Sequence, residues 1–230
     1  QHQRIKVEDG EEIGDDIIDG AGLSEKIKHE LRLHSAFDAK DATIRHIPVG
    51  EVYERHERKQ EMILVIVKRT LIDRYLKIFN GLRLSLIRIG AESFTVQRAV
   101  SSFCPKDWTS DAPTGVVNIG ETKAEILVIR EGKVAFVRSL PLGLDKFTES
   151  IARRMNIDKE GMARIVGAME EGRDVNDSIK KAVRAAVRPE MEFLSAEVQT
   201  CFRYFSVNNQ NTAVGQVVVF GNGTTLLAGK

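Results

Sequence analysis

Apolar positions change their spacing several times along this chain, and each change marks a candidate element. Glu61 to Lys68 (EMILVIVK) is nearly continuous in its apolar run, which suits a strand buried on both faces. Ahead of it, Ala42 to Val49 and Glu51 to His56 read as two strands around a turn at Pro48-Gly50. After it the spacing becomes helical. Leu71, Ile72, Tyr75, Leu76 and Phe79 share one side, with Thr70 as the expected cap and Asn80-Gly81 as the stop. Leu82 to Ile89 alternates like a strand and Glu92 to Ser102 like a second helix, so this part predicts a small α/β unit. An earlier helix is expected from Ser24, with Leu23, Ile27, Leu31 and Phe37 along its apolar side.

The second half opens with a predicted three-stranded meander, Gly115 to Gly143. Its two turns are Asn118-Ile119-Gly120-Glu121-Thr122 and Arg130-Glu131-Gly132-Lys133, the second of which has the chemistry of a hairpin. Helices are expected at Asp145–Met155 and Lys159–Met169. The longest periodic stretch, Val175 to Val207, carries Pro189, which predicts a kink or break near Arg188. A loop at Asn208–Thr212 then leads to Gln216–Phe220, read as a buried strand that runs into Gly221-Asn222-Gly223-Thr224.

These segments divide the chain into four expected parts. Residues 1–23 form an acidic mobile or edge segment, in which seven acidic groups fall between Glu8 and Asp19 at a spacing unlike a calcium loop. Residues 24–103 form the small α/β subdomain. Residues 104–114 form a proline-bearing linker with Trp108 as a packed lid, and residues 115–230 form a second subdomain.

Composition narrows the chemistry. The 230 residues are 42% hydrophobic and 29% charged with a net charge of +1, so no global field recruits nucleic acid or a membrane surface. Cys104 and Cys201 belong to no metal-ligand cluster and read as thiols of a reducing, cytosolic compartment. His29, His34, His46 and His56 show no ligand spacing, and no apolar run is long enough to span a bilayer. The common phosphate-loop, dinucleotide, zinc-protease and nucleophile-elbow motifs are missing.

Two glycine turns remain, each directly after an apolar strand: Asn118 to Thr122, and Gly221 to Thr224. Glycine lets main-chain N–H groups approach an anion, and a following hydroxyl adds a donor. The same residues also serve ordinary hairpins, so either turn alone is ambiguous.

Their order resolves part of that ambiguity. A strand–turn–strand, a third strand ending in Leu140-Pro141-Leu142-Gly143, a helix beginning DKFTESIARRM, a long helix and a strand ending in Gly-Asn-Gly-Thr resemble the second half of the actin-like ATPase domain. TKAEILVIREGKVAFVRSLPLG, FTESIARRMNI and VVVFGNGTTLLAG are similar to the type IV pilus assembly protein PilM family, which is related to the cell-division protein FtsA. The resemblance covers roughly Ser24 to Gly229. It implies a partial actin-like (ribonuclease H-like) α/β fold with residues 24–103 as the family's inserted subdomain.

The resemblance also implies a site and partners. Asn118, Gly120, Glu121, Thr122 and Lys123 would border the phosphates of ATP with Mg, and Gly221, Asn222, Gly223 and Thr224 would approach the adenosine. The implied role is a cytoplasmic scaffold at the inner face of the inner membrane. It would dock the short cytoplasmic tail of an inner-membrane pilus protein, reach the membrane through that partner, bind no nucleic acid, and possess the capacity to self-associate.

Three departures shape the expected chemistry. No aspartate-glycine hairpin opens the chain, Asn118 stands where the family pattern has aspartate, and the helix expected after Thr224 is missing. The chain also begins at Gln1 and stops at Lys230 just past a turn, so a fragment of a longer protein is expected. Weak or absent ATPase activity follows from the neutral amide at Asn118. Two alternatives stay open at this point: an active ATPase or phosphotransferase using Glu121 or Glu125, and an interaction module that no longer binds nucleotide.

Overall fold

The computed structural model describes residues 2–8, 18–19, 41–54, 57–103, 112–171 and 175–226. The expected helix from Ser24, Trp108, Cys104 and the histidines His29, His34 and His56 lie outside the described residues. The chain divides into two units, Gln1–Thr95 and Val96–Lys230.

The first unit is built on an antiparallel sheet of order β1-β4-β3-β2: β1 (His2–Glu8), β2 (Ile18–Asp19), β3 (Ala42–Glu54) and β4 (Glu57–Lys68). β4 lies between β1 and β3, and Met62, Ile63, Leu64 and Ile66 are all buried. A strand covered on both faces needs no polar alternation, which is why its sequence is almost wholly apolar. His46 is a packed histidine on β3.

One expected feature of this sheet differs. The Pro48-Gly50 turn is instead a bulge inside one continuous strand, where the register slips between Pro48 and Gly50. Proline cannot donate to a ladder, and a bulge tolerates that loss without reversing the chain. The reversal comes later, between Glu54 and Glu57.

Helix α1 (Arg69–Gly81) follows β4 directly. Its cap position is Lys68, without a side-chain cap, and Thr70 lies within the first turn. Leu82 to Ile89 forms no strand: Arg83 adopts a left-handed φ of 54° and Ile87 is 96% exposed. Alternation defines two faces but supplies no neighbouring edge to bond with, and without that edge no ladder forms. Helix α2 (Glu92–Phe103) spans the division between the two units.

The second unit has a sheet of order β7-β6-β5-β8. β5 (Thr114–Ile119), β6 (Ala124–Arg130) and β7 (Lys133–Leu140) form the expected antiparallel meander, and β8 (Gln216–Phe220) joins β5 in parallel. Glu131 and Gly132 both take positive φ, 52° and 71°, as a two-residue hairpin turn requires. Gln97 Nε2 on α2 donates to the Gly132 carbonyl at 2.7 Å, tying that turn to the helix.

Three helices follow the meander: α3 (Leu144–Met155), α4 (Lys159–Glu170) and α5 (Asp177–Asn208). Phe147 and Ile151 of α3 are buried, and Asn156 closes the helix in the left-handed conformation. Asp158 caps α4 by accepting the Gly161 N–H at 2.7 Å. The second half of α5 packs on the sheet through the Arg138–Glu197 ion pair at 2.8 Å and the Phe136–Tyr204 ring contact.

Of the kink or break expected near Arg188, the break does not occur: α5 runs as one helix of 32 residues with Pro189 inside it. Pro189 leaves the Ala185 carbonyl without its usual amide donor. Arg154 Nη1 of α3 supplies one at 3.2 Å, and Ser150 Oγ reaches the next carbonyl, Ala186, at 3.3 Å and Glu190 Oε1 at 2.8 Å. Arg154 of α3 thus replaces the donor that proline removes.

β8 also departs from its reading as a buried strand. Val217 and Val219 are 47% and 51% exposed, because β8 ends the described sheet.

Candidate functional site

The two glycine turns meet at one end of the second sheet. Parallel pairing of β5 with β8 sets Asn118 opposite Phe220, so the turns that follow both strands emerge side by side. Gly221 has a φ of +103°, and a Cβ there would run into the Ile119 carbonyl and the Asn118 Oδ1. A Cβ on Gly223 would strike the Ile119 side chain. Thr224 closes the second turn, its N–H and Oγ1 both bonding to the Gly221 carbonyl, at 3.0 and 2.7 Å. A short 3-10 helix, Asn222–Leu226, continues from there.

The first turn is closed by the Gly120 N–H to the Lys123 carbonyl at 2.9 Å. It is braced from the side by the start of α3, whose Leu144 and Asp145 N–H groups donate to the carbonyls of Gly120 and Glu121, each at 2.9 Å. Gly143 makes that approach possible, since a Cβ would collide with the Glu121 backbone. The orphan donors of this helix start are therefore turned onto the turn itself. Gly143 was not singled out from sequence, although the Leu140-Pro141-Leu142-Gly143 stop was visible.

The side chains divide by environment. Glu121, Thr122 and Asn222 are exposed, and Asn118 is only 8% exposed. Glu125 lies opposite Asn118 on β6, its carboxylate buried. Lys123 Nζ sits 3.2 Å from Glu125 Oε1, and Ser139 Oγ donates to the same oxygen at 3.5 Å. The structure thus gathers Asn118, Gly120, Lys123, Gly221, Gly223 and Thr224, and adds Glu125 and Ser139 behind them.

A cavity of about 430 Å³ adjoins the second turn between α5 and the exposed side of β8, lined by Ile119, Met191, Leu194, Val198, Val217, Val219 and Thr224 among others. No charged residue lines it, so it offers nothing to a triphosphate.

The donor set tests the implied groups differently. The two turns bring Gly120, Gly221 and Gly223 together, with the Cβ positions of Gly221 and Gly223 already taken by Ile119 and its neighbours. A magnesium ion asks for ionised oxygen ligands, yet Asn118 is neutral and the Glu125 carboxylate is buried and paired with an ammonium. No group of three or more His, Cys, Asp or Glu able to hold a metal occurs among the described residues. Of the residues in the two turns, the exposed Glu121 carries the ionised carboxylate that would face a magnesium ion or its waters.

A meander joined in parallel by a later strand, with helices between, defines a partial actin-like ATPase fold. The chain belongs to the type IV pilus assembly protein PilM family, whose description it matches over residues 18–229. It is similar to a solved PilM-PilN type IV pilus biogenesis complex at 18% identity, with a TM-score of 0.72, covering 99% of this chain and 61% of that one. It therefore spans under two thirds of the matched chain. Looser likenesses include ethanolamine utilization protein EutJ from Carboxydothermus hydrogenoformans (20% identity, TM-score 0.47, 66% and 48% covered) and the apo pSK41 ParM protein (15%, 0.37, 53% and 32%). Among curated proteins none matches the sequence. No helix among the described residues is long and apolar enough to cross a membrane.

Proposed function

We propose that this chain is part of a type IV pilus assembly scaffold that holds ATP as a structural ligand and docks the short cytoplasmic tail of an inner-membrane pilus protein. Membership of the PilM family over residues 18–229 carries the pilus role. The convergence of Gly120 with Gly221 and Gly223 supports the nucleotide role, with the phosphates at Asn118–Lys123 and the adenosine at Gly221–Thr224.

The partner reading takes its support from the solved relative, a complex of PilM with PilN. On this reading residues 1–23, 24–103, 104–114 and 115–230 keep the roles expected of them, and the protein works at the inner face of the membrane through its partner. Self-association is part of the same proposal.

Holding is favoured over turnover because the turn lacks a suitable base. Glu125 is buried and ion-paired, and Glu121 is fixed to the turn's exposed side with its carbonyl bonded to α3. Calorimetric titration with ATP and a phosphate-release assay test this. Binding without release is the expected result, rapid release would establish an ATPase, and no heat would leave an interaction module. Pull-down with the cytoplasmic tails of candidate pilus proteins tests the partner, and failure across the set would remove the docking role.

A further inference from the structure

We propose that α1 and the segment after it, residues 70–90, form a surface that docks directly on a membrane rich in anionic lipid. The contact is the chain's own, made without a partner protein, and it involves neither glycine turn.

α1 follows β4 with no intervening loop, yet it buries none of its residues. A surface helix ordinarily lays its apolar stripe on the core beside it. In helical projection Leu71, Ile72, Tyr75, Leu76, Ile78 and Phe79 fall within about 160° of the circumference, and the remaining arc holds only polar residues and Gly81. Tyr75, near the middle of the apolar arc, is 47% exposed, so the arc is open at its centre. The chain beyond the helix extends this surface. Leu82, Leu84, Ile87 and Ile89 are all exposed, and no residue from 68 to 90 is buried.

Charge identifies what this face fits. Residues 70–90 carry four basic side chains, Arg74, Lys77, Arg83 and Arg88, against the single acid Asp73. The whole chain balances to +1, so the excess is local. All four basic residues are exposed. A helix with one apolar side and one basic side lies in the plane of a lipid interface, its apolar side among the acyl chains and its cations at the headgroups. The long stems of Arg74 and Lys77 let their charges reach the lipid phosphates while the helix sits deeper, and Tyr75 suits the boundary itself. A groove on a protein partner would select a narrow stripe of anchors and a fixed shape. Here the apolar positions cover nearly half the helix and continue along an irregular segment, where Arg83 turns left-handed. A fluid acyl layer admits such a surface, and anionic headgroups match its cations.

Flotation of the full-length protein with vesicles of phosphatidylglycerol and phosphatidylethanolamine, set against vesicles of phosphatidylcholine alone, tests the proposal. Binding to the anionic vesicles only is expected, and it should weaken as salt rises. Arg74→Gln combined with Lys77→Gln should weaken it by at least about tenfold, and Leu71→Gln combined with Ile78→Gln should abolish it. All four positions are exposed, so thermal melting should show both variants folded. Tyr75→Trp in a Trp108→Phe background reads the contact directly, since its fluorescence should shift to the blue when anionic vesicles are added. No flotation, equal flotation with both kinds of vesicle, or binding that ignores the substitutions in α1 would overturn the proposal. Self-association that Leu71→Gln with Ile78→Gln dissolves, without vesicle binding, would give the face to a second copy and overturn it equally.

Discussion

Pro189 shows how one residue is accommodated by chemistry on another helix. The Ala185 carbonyl accepts from Arg154 instead of the amide that proline lacks. Arg154→Ala should therefore cost about 0.5 to 1 kcal/mol in urea unfolding, near the low end for a hydrogen bond because the donor is exposed. In a Pro189→Ala background the restored amide takes over, and the same substitution should cost close to nothing. At Gly221, the φ of +103° and the adjacent Ile119 carbonyl make alanine costly, by at least about 1 kcal/mol in the same measurement. Cys201 is buried on α5, and that desolvation raises its thiol pKa above the ordinary value. In a Cys104→Ser background it should resist alkylation at pH 8 while folded and react quickly once unfolded.

Elements differ in how fully they determine themselves. β5 and β6 are buried on both faces, so Leu127→Ala should cost about 3 kcal/mol, whereas Val217→Ser on half-exposed β8 should stay within about 0.5 kcal/mol by denaturant melting. The meander and the helix positions were legible because burial leaves a periodic trace in the sequence. β8 was misread for the same reason: Gln216–Phe220 has the composition of a central strand, but composition does not say which neighbour is present. Pro48 was legible as an interruption but not as a bulge, since the choice between bending and reversing depends on β4 continuing alongside. At the site, the two glycine turns could be read because glycine follows a strand in both. The brace from Gly143 and the Lys123–Glu125 pair could not, because contacts between separate elements leave no local period.

At the scale of the whole molecule, the two units have no strand in common, and each sheet has its own buried centre. Hydrogen exchange should show this directly. Amides of β4 in the first unit and of β5 and β6 in the second should exchange slowest, with those of β1 and β8 on their unpaired sides released first. Uniform protection across each sheet would contradict the strand order. The length of α5 has a mechanical consequence. At 32 residues it reaches about 48 Å end to end. Its first part is gripped by α3 and its later part lies on the sheet, so it is a beam clamped at two places. A pull applied to either clamp is transmitted along the beam to the other, through the one turn where a backbone bond has been handed to Arg154. That turn is held in part by a side chain of α3 and not by its own backbone alone.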